Sequence, residues 1–286
     1  MNKGYIYATL SVLCMVFSTI INSVAIANIS NNIASLINVT VVLVIIIMQT
    51  LLTRKKLVNK LPNKNIILMS VLNLIGLIFM FESVRLLGAS AYSFISRMSV
   101  IFSLFIGIYI LKEKNNISYL GILITLIGIV IMQFSDLTDE GLLGIATTII
   151  FTLCFSVSNA LAKVESSYDA NEKLFYNNII SFVPLLIFAL GSSTTVVNID
   201  VISVVAIICS SILSAYWGMK FYFMSVAEID FSTVTIIRTF NPVFTLIISD
   251  VIFKLQKVNA QELFGGLLIL VGILLVVIKK MRPLTD

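Results

Sequence analysis

The stretch "FISRMSVIFSLFIGIYIL", residues 94–111, is apolar almost throughout, yet Arg97 lies inside it. A later stretch, "TIIRTFNPVFTLIISDVIF", residues 235–253, does the same with Arg238. A spanning helix needs ~20 mostly apolar residues. Around these two runs the chain offers about ten such segments, at 4–27, 32–52, 66–87, 90–111, 117–134, 142–163, 173–191, 199–227, 231–253 and 260–279. With 59% hydrophobic and 12% charged residues and a mean hydropathy of +1.07, a globule in water could not cover its own surface, so bilayer lipid is the expected solvent. The loops between runs are too short for a separate soluble domain. The first run is too long for a signal-peptide core and reads as a retained helix.

Charge location sets the expected orientation. "TRKKLVNKLPNK", residues 53–64, carries Arg54, Lys55, Lys56, Lys60 and Lys64 between the second and third runs, and Lys279, Lys280 and Arg282 follow the tenth. "SDLTDE", residues 135–140, is acidic. The positive-inside rule then puts both termini in the cytoplasm, with Lys254 and Lys257 as mild dissenters. The net charge of +5 borders apolar helices without interleaved aromatics, so no nucleic-acid partner is expected. Cys14, Cys154 and Cys209 all lie in apolar runs without zinc or disulfide spacing and read as small packing residues. No cofactor is expected.

The chain reads as two copies of a five-helix unit, 1–135 and 141–281. "GYIYATLSVLCMVFS" (4–18) aligns with "GIATTIIFTLCFSVS" (144–158), pairing Gly4 with Gly144, Cys14 with Cys154 and Ser18 with Ser158. "FESV" (81–84) aligns with "FMSV" (223–226), Arg97 with Arg238, and "YLGILITLIG" (119–128) with "LFGGLLILVG" (263–272). These matches run in order at nearly one offset. Five helices is an odd number, so the second copy enters the membrane from the opposite side. The expected fold class is all-α integral membrane, with about ten transmembrane helices as two inverted five-helix repeats, an arrangement frequent in secondary transporters.

Two such units resemble the EamA-type members of the drug/metabolite transporter superfamily. The resemblance covers nearly the whole chain and is carried by "SVIFSLFIGIYILKEKNNISYLGILITLIGIVIM" and "NPVFTLIISDVIFKLQKVNAQELFGGLLILVGILLVV". Pro242 and the glycines fit the family pattern in the second half, and Glu113 and the glycines in the first. Val100 stands where a proline is usual, Leu255-Gln256 where an acidic pair is usual, and Phe17-Ser18 where Trp-Gly is common. The second run also lacks the usual Pro and Arg. The resemblance implies a bacterial inner-membrane carrier of small metabolites, often an exporter, with a central cavity between the halves.

Arg97 and Arg238 are the first candidates for contact with substrate. Each lies ~10 Å deep at ~1.5 Å per residue, where a central arginine costs ~2.5–3.5 kcal/mol on insertion scales and should face the bundle interior. The pair could hold a carboxylate or phosphate, or each could snorkel or lock onto backbone carbonyls. Glu82 is the candidate for proton coupling, near Arg97 or paired with Arg85 three residues on, a fixed ion pair being the alternative. The chain has no histidine, which rules out a histidine relay. Tyr216 and the sole tryptophan, Trp217, fall near the middle of the eighth run and could line the cavity or mark the interface. Ser210, Ser214 and Gly218 form a small-residue face. Asn241-Pro242 marks a kink and a possible binding-site wall. Ser18 and Asn22 on the first run, with Ser158 and Asn159 on the sixth, are polar groups that bind substrate or bond between helices. Asp250 with Lys254 reads as an interfacial i,i+4 pair, and Lys163 and Glu165 close the sixth run at the cytoplasmic side.

The expected function is a secondary carrier, an exporter, of a small polar or amphiphilic metabolite such as an amino acid, working by alternating access and open to proton or ion coupling. The alternative is a flippase-like carrier of a lipid-linked or nucleotide-linked sugar. A membrane enzyme is disfavoured because no clustered catalytic constellation is present, and ATP-driven transport because there is no Gly-rich Lys-Ser/Thr phosphate loop.

Overall fold

The computed structural model describes residues 3–25, 29–54, 56–112, 119–132, 139–191, 201–238, 241–246, 248 and 260–281. Among them every regular element is helical. The elements are α1 (Lys3–Ala25), α2 (Asn31–Thr53), α3 (Lys64–Ile95), α4 (Met98–Tyr109), α5 (Tyr119–Met132), α6 (Asp139–Val164), α7 (Ala170–Gly191) and α8 (Val201–Ser210). A π-helical segment, Ser211–Gly218, then leads into α9 (Met219–Glu228), followed by α10 (Phe231–Ile237), α11 (Asn241–Leu246) and α12 (Ala260–Met281). Among the described residues six spans are long and apolar enough to cross a membrane: Lys3–Asn22, Asn31–Thr53, Lys64–Gly88, Ala91–Tyr109, Asp139–Val164 and Val201–Glu228. The protein is a multi-pass membrane protein.

Three of the expected uninterrupted runs are broken, each for a local reason. The third and fourth meet at Gly88, whose φ of 74° is open to glycine at little steric cost. Beyond this kink a second helical stretch runs to Ile95, and Ser96-Arg97 form a turn before α4. The ninth run divides into α10 and α11, with Pro242, which has no N–H to donate, in the first turn of α11. In the eighth run, Ser211 and Ser214 hydroxyls bond back to the carbonyls of Ile207 and Ser210, competition for backbone acceptors that accompanies the widened π turns. The Asp250–Lys254 pair, Glu113 and Arg282 lie outside the described residues.

Close packing is set by small residues. α3 lies on α6, α1 on the α8-π-α9 rod, α2 on α7, and α5 on α12. At the α5–α12 crossing a methyl on Gly128 would lie 2.8 Å from the Gly265 carbonyl, and one on Gly272 would lie 2.6 Å from the Gly121 carbonyl, so the two backbones touch. Gly76 packs on Cys154 and Gly218 on Cys14, which gives those cysteines the packing role expected of them. Ser11 donates to the Gly218 carbonyl at 2.8 Å, and Ser18 to Ser214 at 2.8 Å, on the expected small-residue face.

The bundle has two distinct ends. Gly4 packs against Glu228 and Ile229, close to the basic loop, whereas Gly144 packs against Leu86 and Leu87 at the other end. The basic-loop end is sealed. Ile46, Ile66, Met69, Leu174, Tyr222, Phe223 and Phe231 form one buried cluster there, and polar ties lie around it. Glu172 accepts from the backbone N–H of Asn59 (2.8 Å) while closing a reciprocal cap with Asp169 at the start of α7. Asn65 donates to Glu165 (2.7 Å), and Tyr168 to the Leu61 carbonyl (2.7 Å). Lys163 turns inward and caps the end of α9, donating to the carbonyls of Val226 (2.6 Å) and Ile229 (3.3 Å).

Candidate functional site

Above this seal lies a central cavity of about 150 Å³. Its wall is drawn from mid-helix and from the end away from the basic loop: Met15–Asn22 of α1, Asn38 and Val39 of α2, Asn73–Val84 of α3, and Asn177–Ser181 of α7 all contribute. The end of α3 adds Tyr92 and Ser93, the turn before α4 adds Ser96 and Arg97, and the two sides of the break between α10 and α11 add Arg238 and Asn241. Phe151 and Phe155 of α6 give an aromatic wall, with Tyr92 and Phe151 in ring contact at 5.8 Å.

Arg97 is buried and faces inward because the helix breaks beneath it. Its Nε donates to the Ser93 carbonyl (3.1 Å), one Nη to Ser96 Oγ (3.1 Å) and the other to the carbonyl of Arg238 (2.6 Å). That carbonyl lies just past the end of α10, where intrahelical donors run out, and a cation at a helix C-terminus is favourably placed. Arg238 is buried as well. Its guanidinium lies 4.9 Å from the Phe155 ring and 4.7 Å from the Tyr222 ring, two cation–π contacts with neighbouring rings, and donates to the Met15 sulfur at 2.7 Å. No carboxylate is found among the described lining residues. Six asparagines are among the described lining residues: Asn22, Asn38, Asn73, Asn177, Asn178 and Asn241. Among the described residues, Asn73 Nδ2 and Asn177 Oδ1 are buried without a partner, one donor and one acceptor left for something else.

Of the residues singled out by sequence, Arg97, Arg238, Asn241, Ser18 and Asn22 meet at this cavity. Asn22 also accepts from Ser210. Asn159 reaches a small recess that it shares with Arg97, Arg238, Tyr222 and Thr235, and its Oδ1 has no partner among the described residues. Ser158 points away, donating to the Met69 carbonyl at 3.1 Å. Tyr216 is buried elsewhere, bonded to Gln49 and Lys220. Trp217 is 42% exposed on the bundle exterior, 5.5 Å from Lys220. Glu82 is not on the cavity wall; it pairs with Arg85 and accepts from Asn31, joining α3 to α2.

Sequence reasoning missed Asn38, Asn73, Asn177, Asn178 and Met15. The amides carried a usable signal, since each interrupts an apolar run, and Asn38 and Asn178 stand 140 residues apart, the offset that pairs Gly4 with Gly144. Met15 carried none, because a thioether in an apolar helix reads as packing.

No curated protein sequence matches the chain significantly. One protein of known crystal structure superposes with a TM-score of 0.73, covering 98% of this chain and 99% of its own at 12% identity, a likeness of fold alone. A model of the EamA-like transporter family matches residues 2–134 and again 142–278. With nearly the whole chain matched, in two successive copies, over a helical bundle built around a central cavity, the protein belongs to the EamA-like transporter family, membrane transporters of the drug/metabolite type.

Proposed function

We propose that the protein is a secondary carrier that exports a small, polar, anionic or zwitterionic metabolite, such as an amino acid, by alternating access. The observation that carries this reading is the cavity wall: two buried guanidiniums, six amides and no described carboxylate. An acid group on the solute would meet Arg97 and Arg238, and Asn73 and Asn177 would take its other polar groups. A site holding one water needs ~10–15 Å³ on this volume scale. About 150 Å³ therefore suits a compact solute better than a lipid-linked or nucleotide-linked sugar. The reading is non-enzymatic.

Alternating access rests on an inverted repeat, 1–135 and 141–281, with ten spans. Contacts that swap between the copies support it. Gly4 meets Ile229 while Gly144 meets Leu87, and Gly218 meets Cys14 while Gly76 meets Cys154. Ser225 bonds to Gly4, and Ser83 to Thr147. The copies also differ where exchange of conformations needs them to differ: 211–218 is π-helical, while its counterpart near 70–77 is α-helical. We assign the sealed end to the cytoplasm of a bacterial inner membrane from Arg54, Lys56, Lys60 and Lys64, with both termini on that side. Glu82 is given the role of a fixed link between α2 and α3 rather than of a coupling acid.

The test is a thermal-shift screen of purified protein against amino acids, organic acids, nucleotides and sugar phosphates, beside Arg97→Gln and Arg238→Gln. A ligand of the folded state raises its apparent stability by mass action. An anionic or zwitterionic compound should stabilise the wild type and not the folded variants, and vesicles containing the protein should release it. Ligands kept by both variants would remove the arginines from the site.

A further inference from the structure

The partners of the two cavity arginines have one property in common: all those described are neutral. Arg97 holds two carbonyls and a hydroxyl, and Arg238 holds a thioether and two ring faces. Neutral dipoles solvate a guanidinium without cancelling its charge. Three of the five N–H donors of Arg97 are engaged with these groups, so donors remain for a ligand. Three described acids are committed elsewhere, Glu82 to Arg85 and Asn31, Glu172 and Glu165 to the basic-loop seal.

Resting on the alternating-access reading, this arrangement has a consequence for the empty carrier. To change facing, the cavity must pass through a state closed at both ends, in which its water is largely lost. Two like charges would then sit in low dielectric with no counter-charge among the described lining residues, a cost that a bound anion removes. We propose that the empty carrier is therefore held in one facing, and that the protein is an obligate exchanger: an anion seated on the Arg97–Arg238 pair accompanies every reversal, so each anion carried out is matched by one carried back. A carboxylate on the cavity wall would have freed the empty carrier to return alone, and the described wall has none.

The experiment needs no knowledge of the natural substrate. Spin labels at Lys64→Cys and Glu228→Cys, both exposed at the basic-loop end, are placed in a background with Cys14, Cys154 and Cys209 replaced. Their separation is measured by double electron–electron resonance in lipid nanodiscs, in Tris–HEPES buffer free of small inorganic anions. The empty wild type should give a single, closed distance. Two variants of opposite design should both release it. Arg238→Gln deletes a charge, and the isosteric Asn241→Asp supplies the missing counter-charge while keeping the acceptor that Thr245 uses at 2.9 Å. Each should raise the open population roughly tenfold or more. A wild type already divided between two distances overturns the lock and leaves alternating access standing. Release by Arg238→Gln alone assigns the hold to the guanidinium's contacts and overturns exchange. Closed distances in the wild type and both folded variants overturn exchange and the alternating-access reading together.

Discussion

Arg97 donates a hydrogen bond to the main-chain carbonyl of Arg238, 141 residues away, at 2.6 Å. The two residues paired by the sequence repeat thus meet through a cap: the side chain of one satisfies the end of the helix that carries the other. The guanidinium that holds the scaffold is also on the cavity wall, so its scaffold contact does not take Arg97 out of reach of a ligand.

Removing that cap leaves a buried carbonyl unsatisfied, which costs about 1–3 kcal/mol. Arg97→Gln should lower the thermal midpoint in detergent by that equivalent. Arg97→Lys, which can still reach one carbonyl, should lose less. Equal midpoints for all three proteins would show that the contact does not support the fold.

Asn73 and Asn177 should behave in the opposite way. Each buries an unpartnered amide atom on the cavity wall, so replacing the group by an apolar one of similar size removes a desolvation penalty. Asn73→Leu and Asn177→Leu are expected to melt at or above the wild-type temperature while losing ligand-induced stabilisation. A drop in stability with binding retained would reverse their assignment.

Gly272→Leu and Gly128→Leu should disrupt the α5–α12 crossing, since even a Cβ meets backbone at 2.6 and 2.8 Å. Overpacking against backbone costs about 1–3 kcal/mol or more. Gly76→Ala, whose nearest neighbours lie at 3.5 Å or beyond, is the control and should change stability by less than about 1 kcal/mol. Size-exclusion profiles with thermal midpoints separate the cases.

Lys163→Met removes the cap on the Val226 and Ile229 carbonyls. Amide hydrogens in the last turn of α9 should then exchange faster, with the α5–α12 crossing unaffected. Uniform exchange across the protein would mean that the tie is not local.

Glu82→Gln should leave the pH profile of transport unchanged and alter stability by no more than about 1 kcal/mol, as expected for a partly exposed pair. A displaced or flattened pH profile would restore Glu82 as a coupling acid.

Much of this protein is written in one dimension. Its solvent follows from the density of apolar residues, because no fold of such a chain could present a polar surface to water. The duplication also shows in sequence, because Gly4/Gly144, Cys14/Cys154 and Arg97/Arg238 recur at nearly one spacing. The burial of both arginines follows from the cost of exposing a guanidinium to lipid. What a linear reading could not reach depends on neighbours brought from far along the chain. Helix breaks at Ser96-Arg97 and after Ile237 are invisible to hydropathy, which scores the same apolar run whether or not its hydrogen bonds are continuous. Tyr216 and Trp217 looked like cavity residues from their depth, but rotation about the helix axis decides which way a side chain faces, and packing against α1 and α2 sets that rotation. The amides of Asn38, Asn73, Asn177 and Asn178 come onto one cavity wall only when α2, α3 and α7 pack together, because a cavity is a property of surfaces in contact and not of any one helix.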